Sequence, residues 1–102
     1  MEARYGIEIV TDKDVHKNAV DHGFWGETYN YPEKIALIHS ELSEALEALR
    51  ENEPWERVAE EFADTIIRIW DLAEMMGLDL DKALVIKHTR NMSRPYKHGK
   101  EF

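Results

Sequence analysis

Two stretches of helical periodicity meet at a single turn, and no other feature of the chain restricts its fold as much. Ile35, Ile38, Leu42, Leu46 and Leu49 recur at steps of three and four, and Val58, Phe62, Ile66, Ile69 and Ala73 do the same beyond Asn52 and Glu53. Such spacing puts the apolar side chains of each stretch on one helical face. Pro32 and Pro54 suit the first positions of two helices, where the missing N–H leaves no bond unmade. Gly77 is placed to end the second helix in left-handed backbone. The pattern predicts an all-α chain whose helices over 32–51 and 54–76 form a central antiparallel hairpin.

The flanks extend this to a bundle of about four helices in one domain, residues 1–102. Thr11 with Asp14 three positions on reads as a helix start, and Gly23 offers a stop, so a short helix is expected over 12–22. Phe24, Trp25, Gly26, Tyr29 and Tyr31 then form an aromatic loop. Asp79 or Asp81 can start a last helix over 79–93 through Ala83, Leu84 and Ile86, and Arg94 and Pro95 mark the change to an extended basic tail over 94–102. Residues 4–10 could be briefly extended, with nothing obvious to pair with.

A domain of this size buries a modest core, so association as a homo-oligomer is expected. There is no cysteine, which excludes disulfides and thiolate metal sites. No apolar run approaches the roughly 20 residues of a membrane span, and the start MEARYGIEIV is not signal-like. A cytoplasmic protein with no membrane partner is expected. The formal charge of −8 argues against a nucleic acid polymer as partner. That charge is uneven: residues 82–102 carry +5, from Lys82, Lys87, Arg90, Arg94, Lys97 and Lys100 against Glu101, which leaves −13 for residues 1–81. An acidic body with a basic end suits a small anionic ligand held partly through a metal. A basic helix end that complements its own dipole, with a solvated tail, explains the same pattern.

Four carboxylates are mirrored about the turn. Glu44 lies eight positions before Asn52 and Glu61 eight after Glu53, so antiparallel helices rising about 1.5 Å per residue bring the two level. Glu41 and Asp64 pair one turn further out. The set offers hard oxygen ligands of the kind Mg²⁺ takes, with Mn²⁺ the alternative ion. Glu41 also interrupts the apolar stripe of its helix, between Leu37 and Ala48 on one side and Ala45 and Ile38 on the other, and a carboxylate there needs a counter-charge. Glu61 and Asp64 share an arc with Arg57, Glu60, Arg68 and Asp71 that reads as solvated, and Arg68 could form a structural salt bridge with Asp64 or Asp71 instead. A di-iron bundle site would need Glu-x-x-His pairs, which neither acid pair supplies; His39 falls on another face.

The runs EKIALIHSELSEALEALR, VAEEFADTIIRIWDLAEMMGLDL and KHTRNMSRPYKHGKEF resemble the MazG-like branch of the all-α nucleoside triphosphate pyrophosphatases over residues 32–102. Glu41, Glu44, Glu61 and Asp64 match that family's Glu-x-x-Glu, spacer, Glu-x-x-Asp motif, and Lys87, Asn91 and Arg94 follow it. The resemblance implies a Mg²⁺-dependent hydrolase that cleaves between the α and β phosphates of a nucleoside triphosphate, with the four acids as metal-binding and catalytic residues. It implies phosphate contacts from Lys87, Asn91 and Arg94, which fall at i, i+4 and i+7 on one helical face. His16 and Trp25 precede Glu41 at separations similar to those of base-binding residues in the dCTP pyrophosphatase branch, whereas Glu51 and Arg68 stand where that branch carries aromatics. Homodimer and homotetramer both stay open. So do a phosphoribosyl-ATP pyrophosphatase-like activity and a non-catalytic helical oligomer that binds nucleotides or proteins.

Overall fold

The computed structural model describes residues 9–26 and 28–101. It contains helices α1 (Asp12–Asp21), α2 (Tyr31–Arg50), α3 (Trp55–Met76) and α4 (Leu80–Met92), followed by a 3₁₀ turn at Tyr96–Gly99. The described residues hold no strand. Of the segment 4–10, Ile9 and Val10 have no regular structure, and the rest lies outside the described residues. No helix among the described residues is long and apolar enough to cross a membrane.

Each boundary has a local cause. Thr11 caps α1 reciprocally, its hydroxyl accepting the Asp14 N–H at 3.2 Å while the Asp14 carboxylate accepts the Thr11 N–H at 3.1 Å. The second helix starts at Tyr31, one residue before Pro32, because the Asn30 side chain accepts the Glu33 N–H at 2.7 Å. Pro54 is the residue that precedes α3, in extended backbone, and the helix itself opens at Trp55. Gly77 ends α3 with φ of 69°, a left-handed conformation that costs glycine little. Asp79, not Asp81, caps α4 by accepting the Lys82 N–H at 3.0 Å. The tail is not wholly extended. Its 3₁₀ turn needs only short-range bonds and no apolar face, so periodicity does not announce it.

α3 is the centre of the structure, with α2 and α1 packed against it; among the described residues α4 packs closely against no other helix. The buried apolar residues are Val15 and Ala19 of α1, Ala45 and Ala48 of α2, and Val58, Leu72 and Ala73 of α3. Most are small. Small residues let helix axes approach closely, so the α2–α3 seam follows Glu41, Ala45 and Ala48 and not the large aliphatic stripe. Ile35, Leu42, Leu46 and Leu49 lie roughly 80–140° around α2 from Glu41. They stay exposed, as do Phe62, Ile66 and Ile69 of α3. In an antiparallel pair these two arcs turn to the same side of the hairpin, opposite α1.

Replacing Asn30 by alanine removes a side-chain cap and is expected to lower stability by about 1 kcal/mol, a drop in Tm of roughly 4–8 °C. Thermal unfolding followed by circular dichroism checks this, and an unchanged Tm would remove Asn30 from the account of where α2 begins.

Candidate metal centre and adjoining cleft

The hairpin brings carboxylates into its seam. Glu41 is 8% exposed and Glu61 only 2%. Together with the half-buried Asp64 they offer three oxygens that all lie within 4.8 Å of one another. Glu44, the fourth member of the mirrored set, is exposed and stands outside that close group. The tight cluster thus has three members where the mirrored set has four, with Glu44 near enough for the charges of Glu41 and Glu61 to raise its proton affinity.

The arc of α3 expected to be solvated is not. Only Glu60 of its six residues is exposed: Glu61 is buried, and Arg57, Asp64, Arg68 and Asp71 are half-buried. α1 and the aromatic loop pack over this side, and the polar groups there are satisfied by one another. Arg57 pairs with Glu61 within α3, and Arg68 donates from Nε to Glu41 Oε1 across the seam at 2.7 Å. Its partner is therefore Glu41, 27 residues away, and neither Asp64 nor Asp71.

The proton affinities record this crowding. Glu44 is pushed up, first by its hydrogen bond with Glu61 and then by the charges of Glu41 and Glu61. Burial raises Glu61, but hydrogen bonds from Glu44 and Arg57 outweigh it, and the group ends below the usual carboxylate range. Asp64 is raised by burial and by Glu41, Glu61 and Glu60, with Arg68 opposing.

Beside the acids lies a cleft of about 750 Å³ between α1, the aromatic loop, α2 and α3. Glu41 and Asp64 line one end, with Arg68 next to them, and Asp71, Phe24 and Trp25 line the rest of that wall and the far side. Asp64, Arg68 and Asp71 follow each other at i, i+4 and i+7, which keeps them on one face of α3. Trp25 is held firmly. Its indole N–H donates to Asp71 Oδ1 at 2.7 Å, the same oxygen that receives His16 Nδ1 at 2.7 Å. Tyr29 meets the ring edge-on at 4.9 Å between centroids, and the Lys34 ammonium sits 4.6 Å from the ring centre while donating to the Phe24 carbonyl at 2.9 Å.

The remaining expected residues lie apart. Trp25 lines the cleft and His16 stands behind it through Asp71, whereas Lys87, Asn91 and Arg94 of α4 and its C-terminal end are absent from the lining. Lys87 is exposed, and Asn91 and Arg94 are half-buried; Asn91 Oδ1 is buried with no hydrogen-bond partner. Asp71 and Lys34 are site residues that periodicity passes over. A carboxylate about two turns beyond the acid motif carries no signal until the aromatic loop folds onto it. No family model, curated protein or solved structure matches the chain.

Asp64 in the folded protein holds its proton more tightly than in the unfolded chain, so ionising it disfavours folding at neutral pH. Asp64→Asn is expected to raise the Tm of metal-free protein by about 2–4 °C at pH 7. The gain should vanish as pH falls through the raised pKa, where Asp64 is already protonated. Melting curves across pH check the sign; a lower Tm at pH 7 would contradict it.

Proposed function

We propose that this chain is a Mg²⁺-dependent nucleoside triphosphate pyrophosphohydrolase of the MazG-like all-α type, releasing a nucleoside monophosphate and pyrophosphate. The observation that carries this reading is the convergence of Glu41, Glu61 and Asp64 beside a cleft that Glu41, Asp64 and Trp25 line. Buried Glu61 Oε2 has no hydrogen-bond partner, and three carboxylates at one point have only two guanidinium groups against them. An all-oxygen set with an unsatisfied buried acceptor fits a hard divalent cation, Mg²⁺ or Mn²⁺. Such an ion polarises a phosphoryl oxygen and acidifies a bound water.

The chain's own residues divide the remaining work. Glu41 and Asp64 face the cleft and hold the cation against the substrate's phosphates. Glu44, outside the three-acid group that would hold the cation, remains to take a proton from water. Trp25, fixed by Asp71, offers a flat face for a base to stack on, with His16 setting Asp71 from behind. Lys87, Asn91 and Arg94 supply phosphate contacts once α4 is packed.

That packing belongs to a homo-oligomer, dimer or tetramer. The chain exposes 8599 Å², where a compact monomer of its 12.0 kDa exposes roughly 6000 Å². Its radius of gyration is 16.3 Å against about 13 Å for a compact domain of this length. The uncovered face of Ile35, Leu42, Leu46, Phe62 and Ile66, with Leu84 and Val85 of α4, supports association between copies.

Purified protein given a panel of nucleoside triphosphates with Mg²⁺ is expected to release pyrophosphate and not orthophosphate, and Glu41→Gln to lower kcat/KM by at least about 10²-fold. Turnover of phosphoribosyl-ATP alone would reassign the substrate. Absence of turnover on all of them would overturn the reading in favour of a non-catalytic binding protein. Light scattering is expected to give a multiple of the chain mass, with Leu46→Asp and Ile66→Asp together shifting it toward monomer.

A further inference from the structure

Among the described residues the cleft is lined by four acids, Asp14, Glu41, Asp64 and Asp71, and by two cations, Lys34 and Arg68. A polyphosphate entering it meets a net charge of −2. Lys34 is committed at the aromatic end, to the Phe24 carbonyl and the Trp25 ring. Arg68 alone stands at the acid end. It reaches Glu41 through a single Nε–H bond, and its side chain keeps 37% exposure. One nitrogen is spent on the carboxylate, while a guanidinium carries five N–H donors in a planar fork.

We infer that Arg68 is an exchangeable counter-charge: it neutralises Glu41 when no cation is bound, gives the carboxylate up to a divalent ion, and then receives the phosphate chain of the substrate. This rests on the metal and nucleotide reading above and adds a residue to it. The exchange solves two problems with one side chain. Glu41, buried in the seam, is never left without a positive partner, which would cost several kcal/mol. The guanidinium released from it has its fork in the cleft, beside the acids, where a bidentate phosphate contact can form. Arg57 does not share this role, because it pairs with Glu61 outside the cleft lining.

Competition for Glu41 makes the two ligands respond oppositely. With Mn²⁺ alone, followed by electron paramagnetic resonance, Arg68→Gln is expected to bind the ion about 3–10-fold more tightly than the parent, because a competing cation is gone. With Mg²⁺ saturating, inorganic tripolyphosphate measured by calorimetry is expected to bind the same variant about 10-fold more weakly. An ion pair that only holds the helices together gives neither change, and unchanged or weakened Mn²⁺ binding overturns the inference. If Arg68→Gln does not fold, Arg68→Lys decides. Parental or tighter Mn²⁺ binding with tripolyphosphate within about threefold of the parent supports the exchange, and loss of Mn²⁺ binding overturns it. Failure of the parent itself to bind Mn²⁺ removes the metal reading and this inference with it, an outcome separable from a parent that binds Mn²⁺ with a variant that does not differ.

Discussion

Glu41 and Glu61 are carried into the α2–α3 seam by the same helical geometry that packs Ala45, Ala48 and Val58 there. Two like charges buried together oppose folding unless something positive meets them, and the polar construction around the seam answers that demand. Arg68 crosses from α3 to Glu41, and Arg57 turns back along its own helix to Glu61. The compensation is incomplete: Glu61 Oε2 is left without a partner. A buried acid with an unsatisfied oxygen beside an open cleft is the feature on which the proposed divalent cation rests.

The helices were legible because their signals are local. Thr11, Gly77 and the period of the apolar residues act within a few positions, and α1 to α4 begin and end within a residue or so of where those signals place them. The level match of the acids across Asn52 is also a local consequence, since one turn fixes the register of two rigid rods. What the sequence conceals is which face of each rod turns inward. The large aliphatic stripe announces a core, yet the seam is drawn by alanines because they allow the closer approach. The polar arc of α3 is half-buried for a tertiary reason, the aromatic loop folding onto Asp71, and a 3.6-residue period contains no information about that contact.

The apolar face left on the far side of the hairpin ties the fold to the proposed assembly. The interior of one chain is mostly alanine and valine, and covering each large aliphatic side chain of the outer face, already about half covered, would stabilise an oligomer by about 1 kcal/mol. α4, which packs closely against no other helix among the described residues, carries the residues expected at the phosphates. In the proposed oligomer, covering the face and packing α4 would be one structural event, and the catalytic reading depends on both.

The central claim is that the acid cluster is a cation site, and anomalous scattering from crystals soaked in Mn²⁺ addresses it most directly. One strong peak per chain is expected within direct coordination distance of oxygens of Glu41, Glu61 and Asp64, with Arg68 turned away from Glu41. A map with no peak there, in which Arg68 and Arg57 still hold Glu41 and Glu61, would contradict it.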